Sequence, residues 1–336
     1  LLLSTSGSTG SAKQVCLSAA NLQANAQSIC HYLPILPTDV TITTLPFFYS
    51  YGLSVINSHL LVGACIVFNQ HSVVNREFWQ LFKREQITSF AGVPHIYLML
   101  FRLKFDSMDL PSLRYFTQAG GKLAEDKVSL LADYAQQHNK QFFVMYGQTE
   151  ATARMAYLPS EVIAAKPQSI GRAIPGGEFV LHDEQGQVIN QAGQTGELIY
   201  RGANVMLGYA EQLKDLAQLI SVEELKTGDL AYRDDDGDYF ISGRLKRFIK
   251  LFGLRINLDE IENILTQQGL ACYCLGDDSK LLVAVKNHNQ TADLKINLSR
   301  QLHLHHSAIE VFNVDALPLT TNGKKDYPAM LQVLGR

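Results

Sequence analysis

The sequence predicts an α/β fold: a layered large domain with a mostly parallel sheet and a small β subdomain, followed by a small α+β C-terminal domain. Three observations predict it. From residue 1 to about residue 159, apolar strand-like runs alternate with longer amphipathic stretches, the rhythm of parallel strands joined by crossover helices. Between residues 169 and 209 the rhythm changes to short strands broken by turns at Pro175-Gly176-Gly177, Asp183-Glu184-Gln185-Gly186 and Gln191-Ala192-Gly193. After Gly243 the chain becomes basic over Arg244, Lys246, Arg247 and Lys250, and a fresh helix-opening pattern follows.

In order, strands are expected at residues 1–3, 40–45, 65–68, 89–93, 115–118 and 141–146, with helices over 18–32, 76–85, 97–103 and 125–137. The longest wholly apolar run, residues 60–68, reads as a buried strand, being far shorter than the roughly 20 residues of a membrane helix. Asp234-Asp235-Asp236-Gly237 reads as a turn. Asn257 precedes Leu258, Ile261, Ile264 and Leu265 and has Glu260 three residues on, an N-cap and capping-box pattern. At about 150 residues per domain the length allows two. The expected division is a large domain over 1–245, split into an α/β part (1–165) and a β-rich part (166–245), and a C-terminal domain over 246–336.

With 29 Lys plus Arg against 32 Asp plus Glu, the net charge is −3. No excess positive charge drives binding to phosphate backbones or anionic lipid, so neither nucleic acid nor membrane is an expected partner. Five cysteines (Cys16, Cys30, Cys65, Cys272, Cys274) are odd in number and form no C-x-x-C pair, which predicts reduced thiols and a cytoplasmic location. His303, His305 and His306 have no Cys or carboxylate nearby at a zinc-type spacing and read as polar surface.

Thr5-Ser6-Gly7-Ser8-Thr9-Gly10-Ser11-Ala12-Lys13 packs glycines, hydroxyls and a lysine directly after an apolar strand. Glycines let backbone N–H groups approach an anion, hydroxyls add donors and the ammonium neutralises charge, so a phosphate cradle is one reading and a polar loop the other. It is not a Walker A loop, since two residues separate Gly10 from Lys13 and Gln14 stands where a Ser or Thr would ligate magnesium. Tyr146-Gly147-Gln148-Thr149-Glu150 closes a strand, at the end of an open sheet where ligands bind, and its carboxylate suits a magnesium ion on a triphosphate. Thr227-Gly228-Asp229 offers a carboxylate for two vicinal ribose hydroxyls, and Arg244 a fixed cationic fork. Each of these alone also reads as a turn or a surface ion-pair partner.

In this order and spacing the sequence resembles the adenylate-forming (AMP-binding) superfamily of acyl-CoA synthetases, aryl-CoA ligases, firefly-type luciferases and peptide-synthetase adenylation domains. The resemblance also takes in Gly196-Glu197-Leu198 through Gly208-Tyr209, Gly243-Arg244-Leu245-Lys246 and Pro318-Leu319-Thr320-Thr321-Asn322-Gly323-Lys324, and so runs from Thr5 to Lys324. It implies that a carboxylate attacks the α-phosphorus of ATP to give acyl-adenylate and pyrophosphate, and that a thiol, CoA or a carrier protein's, then takes the acyl group. It further implies that Lys324 bridges carboxylate and α-phosphate, and that Thr149 and Glu150 are catalytic, Glu150 with Thr9 holding Mg2+. By the same resemblance Thr5, Ser6, Gly7, Ser8, Thr9, Gly10 and Lys13 contact pyrophosphate. Gly120, Gly121 and Tyr146 bound the nucleotide and acyl group, a role for which Gly120-Gly121 also reads as a simple strand-end turn. Asp229 and Arg244 fix the ribose, Lys246 is the hinge, and the segment from Lys250 to Gly253 serves thioester formation. A nucleotide-binding pseudoenzyme is the alternative of another class.

The sequence departs from the family pattern in four places. Ala12 stands where many relatives have Pro, and Tyr49 where many CoA ligases have His. The segment around Tyr49 lacks the Asp with which peptide-synthetase domains bind an α-ammonium, which points to an acid without an amino group. Only Leu1 to Ser4 precede the phosphate loop, so the chain is expected to be an N-terminally truncated member.

Overall fold

The computed structural model describes residues 1–4, 13–252, 254–277, 279–288, 290–320 and 323–336. The chain divides into two compact units, Leu1–Thr227 with Ala231–Ile241, and Gly228–Leu230 with Ser242–Arg336.

The first unit is organised by a seven-stranded sheet in the order Cys65–Val67, Val40–Ile42, Ser89–Gly92, Tyr115–Gln118, Gln141–Tyr146, Ala156–Leu158, Arg172–Ala173. The first five strands run parallel and the last two antiparallel. Tyr115–Gln118 is buried throughout, as a central strand covered on both faces requires. Phe90, Phe116 and Phe142 sit at matching register on three adjacent strands, stacked at 5.8 and 4.8 Å between ring centroids. The helices Pro94–Arg102 and Glu125–Gln137 add Tyr97 and Tyr134 to that aromatic core.

The helix Ala19–Tyr32 starts where the sequence predicts. Ser18 caps it, accepting from the Asn21 amide at 3.0 Å while the Asn21 side chain accepts from the Ser18 amide at 2.9 Å. One expectation fails. Residues 60–68 are not one buried strand: Leu60, Leu61 and Val62 end the helix Ser50–Val62, and the strand is only Cys65–Val67. Gly63, at φ +78°, is the left-handed cap between them, and Leu60 and Phe68 are exposed. Residues 2–4 also lie outside the large sheet, in a three-stranded antiparallel sheet with Gln14–Cys16 and Gly208–Ala210. The turn-rich region forms the expected small sheet, ordered Val188–Ile189, Gly177–His182, Gly196–Gly202, Leu225–Arg233, Tyr239–Arg244.

The second unit pairs Phe248–Leu251 with Leu254–Asn257 and holds a sheet of Cys272–Gly276, Leu281–Lys286 and Ile309–Val314. Asn257 caps the helix Leu258–Gln267 through bonds from the Asp259 and Glu260 amides. A buried charge network ties the helix to its surroundings. Arg247 donates to Asp259, to Glu262 and to the Cys274 carbonyl, each at 2.7 Å, and its guanidinium lies 4.0 Å from the Tyr327 ring centroid. Glu262 also accepts from Lys325 and from the Cys274 amide.

In the first unit, His59 on the helix Ser50–Val62 is 3% exposed. Its Nδ1 lies 2.8 Å from the Val55 carbonyl and so carries the proton, leaving Nε2 to accept from Tyr115 at 3.0 Å. Burial lowers its pKa below the usual 6.5, so the native state favours neutral imidazole. The unfolded chain then binds the extra proton first. Stability from this group is complete above the unfolded pKa and falls as pH drops through it towards the folded value. Denaturant midpoints measured between pH 7.5 and 5 should fall, and His59→Gln should flatten the slope.

Candidate active site

The strand Gln141–Tyr146 delivers Tyr146-Gly147-Gln148-Thr149-Glu150 to the C-terminal end of the parallel sheet. Gly147 is there because the chain folds back upon it. A Cβ at this position would sit 1.7 Å from the Ala153 carbonyl oxygen. The return is held by side chains from distant elements. Asn204 donates to the Ala151 and Arg154 carbonyls at 2.8 and 2.9 Å, Asn25 donates to the Arg154 carbonyl at 3.0 Å, and Thr152 donates to the Asn204 carbonyl at 2.7 Å. Thr149 Oγ1 lies 3.2 Å from Ser50 Oγ, and the Gln148 amide donates to the Thr227 carbonyl at 2.8 Å.

Glu150 accepts the Tyr209 hydroxyl at 2.9 Å. The same Tyr209 ring lies 5.9 Å from Lys13 Nζ, which pairs with Glu211 at 3.4 Å. Three segments separated in sequence thus converge: the end of the glycine- and hydroxyl-rich loop, the carboxylate after the strand, and Gly208-Tyr209. Burial and the Glu150 charge together push the Tyr209 phenol well above its usual pKa, so it stays a donor. Among the described residues no cation pairs with Glu150, and no cluster of three or more His, Cys, Asp or Glu side chains is set to hold a metal. One hard oxygen donor suits magnesium, which takes one or two carboxylates and completes its shell with phosphates and water.

Gly120, at φ +81°, and Gly121 follow the strand Tyr115–Gln118. Tyr49, the residue standing in the His position, fills the space over Gly120, where a Cβ would come 2.5 Å from its hydroxyl. Tyr49 contacts Tyr51 edge-to-face at 6.2 Å, and Tyr51 bonds to Thr117 at 2.9 Å.

In the second unit Arg244 donates to the buried Asp229 at 2.8 Å, so the two residues expected at the ribose are held together. Lys246 is exposed in the short turn Leu245–Arg247, next to the locked Arg247, and Lys250 is exposed on the strand Phe248–Leu251. Around Lys324, the Thr320 hydroxyl accepts from the Lys324 amide at 3.1 Å and the Thr320 amide donates to the Lys324 carbonyl at 2.8 Å. Thr5, Ser6, Gly7, Ser8, Thr9, Gly10 and Gly253 lie outside the described residues.

A profile of the AMP-binding enzyme family matches residues 1–210. The chain belongs to that family. It is 31% identical over 267 residues to an indoleacetate–CoA ligase of Aromatoleum aromaticum, covering 79% of this chain and 51% of the relative. It is 30% identical to 4-coumarate–CoA ligase 2 of Nicotiana tabacum, covering 97% of this chain and 64% of the relative. The chain thus spans about half to two-thirds of the length of these curated relatives. In fold it is similar to the o-succinylbenzoate coenzyme A synthetase of Bacillus subtilis bound to ATP and magnesium, with TM-score 0.79 and 24% identity, over 96% of this chain and 68% of the other. The α/β layers, β subdomain and α+β C-terminal domain are therefore those of adenylate-forming enzymes. Among the described residues no helix is long and apolar enough to cross a membrane.

Two residues of the site escape motif reading. Tyr209 ends a motif without an obvious task, and Arg154 reads only as a charge in an apolar stretch, yet it is buried against Tyr51. Gly147→Ala should destabilise the protein by about 3 kcal/mol or more, because the clash is with backbone that has nowhere to go. Gly121→Ala, whose Cβ would lie 3.2 Å from a Pro94 ring carbon, should cost far less. Urea denaturation of the two variants gives the comparison.

Proposed function

We propose that this chain is part of an AMP-forming acid–thiol ligase of the cytoplasm, which activates a carboxylic acid with ATP and passes the acyl group to CoA. The observation that carries the reading is the convergence of Lys13, Glu150 and Tyr209 at the end of the parallel sheet, in a chain of the AMP-binding family. The curated relatives named as CoA ligases support CoA as the acceptor; a carrier-protein thiol would use the same first step.

In this reading Lys13 and the loop before it, including Thr9, bind the outgoing pyrophosphate. Glu150, oriented by Tyr209 and backed by Thr149, would hold magnesium, which when bound offsets charge on the triphosphate. Gly120, Gly121 and Tyr146 bound the adenine and acyl group, and Asp229 accepts ribose hydroxyls beside Arg244. Lys324 stabilises the negative charge that develops on carboxylate and α-phosphoryl oxygens, where a preorganised cation is most effective. Lys246 is the pivot of the boundary between a domain over 1–245 and one over 246–336, and the segment from Lys250 to Gly253 serves the thiol step.

Incubated with ATP, magnesium and a suitable acid, the protein should release pyrophosphate, and release of orthophosphate instead would remove adenylation as its chemistry. Lys324→Ala should slow adenylation by about 100-fold or more, the scale of losing one well-placed charge-stabilising donor, and spare thioester formation from supplied acyl-adenylate. Lys246→Pro should do the reverse. Quenched-flow assays of the two half-reactions would check both, and equal loss of both steps in both variants would contradict the assignment.

A further inference from the structure

Arg154 is 2% exposed, and among the described residues no carboxylate pairs with it. Its guanidinium lies 3.9 Å from the centroid of the Tyr51 ring, and its Nε has no hydrogen-bond partner. Asn25 Oδ1 is the other orphaned buried side-chain atom among the described residues, and it belongs to the same spot, since the Asn25 amide donates to the Arg154 carbonyl. A buried cation without a counter-charge is destabilising, and stacking on an aromatic ring offsets only part of that.

The surroundings do not supply the missing charge. The phenols of Tyr32, Tyr49 and Tyr51 stand within the electrostatic reach of Arg154. Burial raises the pKa of all three, Tyr49 to about 12, so each is neutral. Asp39, whose field reaches the nearby His59 and Tyr115, is bound to Arg114 at 2.5 Å. Arg154 also borders a water-sized hollow with His59, Tyr115 and Thr117, beside the strand that leads to Gly120. Tyr49, over Gly120, touches Tyr51, and Tyr51 underlies the guanidinium. The cation therefore stands beneath the surface assigned above to the acyl group.

We propose that Arg154 receives a second carboxylate, at the far end of the acid substrate, so that the acid activated is a dicarboxylic acid. This rests on the proposed adenylation of a carboxylic acid and adds its substrate class. Only the carboxylate distant from Arg154 reacts; the other stays ionised, and its charge completes the ion pair. The guanidinium fork suits it, offering two parallel N–H donors to two carboxylate oxygens. A neutral acid of the same length would leave Arg154, which interacts with the Tyr32 phenol and the Tyr51 ring, buried without a counter-charge, so the site discriminates by the charge it leaves uncompensated.

The test uses the full chain and matched acids: malonate, succinate, glutarate, adipate and terephthalate against propanoate, butanoate, pentanoate, hexanoate and benzoate. Pyrophosphate exchange and the thermal shift on adding each acid are measured for the wild type, Arg154→Met and Arg154→Lys. At least one diacid should outperform its monoacid partner. Arg154→Met should lower kcat/KM for that diacid about 30-fold or more, the low end for breaking a buried charge pair, and raise it for the monoacid. Arg154→Lys should retain part of the preference for the diacid. Arg154→Met should also keep or gain thermal stability, because an unpaired buried charge has been removed. Monoacids preferred by the wild type, or a preference unchanged in a destabilised Arg154→Met, would make Arg154 a structural residue and overturn the proposal. Arg154-dependent thermal shifts by a diacid without any exchange would uphold the carboxylate site and refute the adenylation reading. No shift and no exchange with any diacid would overturn the carboxylate site.

Discussion

The fold-back of residues 147–154 is the constraint on which the site depends. The strand Gln141–Tyr146 must end, release a carboxylate and turn away within a few residues, and this is possible only where one backbone passes directly over another. Gly147 permits the crossing, and Asn204 and Asn25 satisfy the carbonyls that it buries. Those two amides come from the helix Ala19–Tyr32 and from the segment after Gly196–Gly202. The crossing thus joins the α/β layers to the β-rich part, and Glu150 lies at their junction, bonded to Tyr209.

Local pattern made the parallel strands legible. The strands at 115–118 and 141–146 and the helix Glu125–Gln137 stand where the alternation of apolar runs puts them, because covered strands carry short apolar runs such as Tyr115-Phe116 and Phe142-Phe143-Val144-Met145. The helix Ser50–Val62 was not legible as such. Its interior is buried through serines, glycine and His59 rather than a clean apolar stripe, and its last apolar residues run on into the next strand, so that periodicity blurs.

For the site, the motifs marked the segments but not how they bond. Glu150 and Tyr209 are 59 positions apart, and no local signal pairs a phenol with a carboxylate over that distance. Asp229 and Arg244 were both expected at the ribose, but their mutual ion pair belongs to the tertiary structure. Arg154 was invisible for the same reason: a single charge near Ala153 and Met155 is ordinary in sequence, and only burial without a counter-charge makes it unusual.

Lys324 and Lys325 are neighbours of identical charge with different settings. Lys325 takes part in an isolated bridge with Leu319 and is anchored on Glu262, while Lys324 bonds through its backbone to Thr320. The anchor therefore works as an index mark, fixing which of two chemically equivalent ammonium groups meets Glu262. Slipping this loop by a single residue would leave composition, charge and the lysine pair untouched and still bring the other ammonium group to Glu262. In this segment, position along the chain carries information that residue type does not.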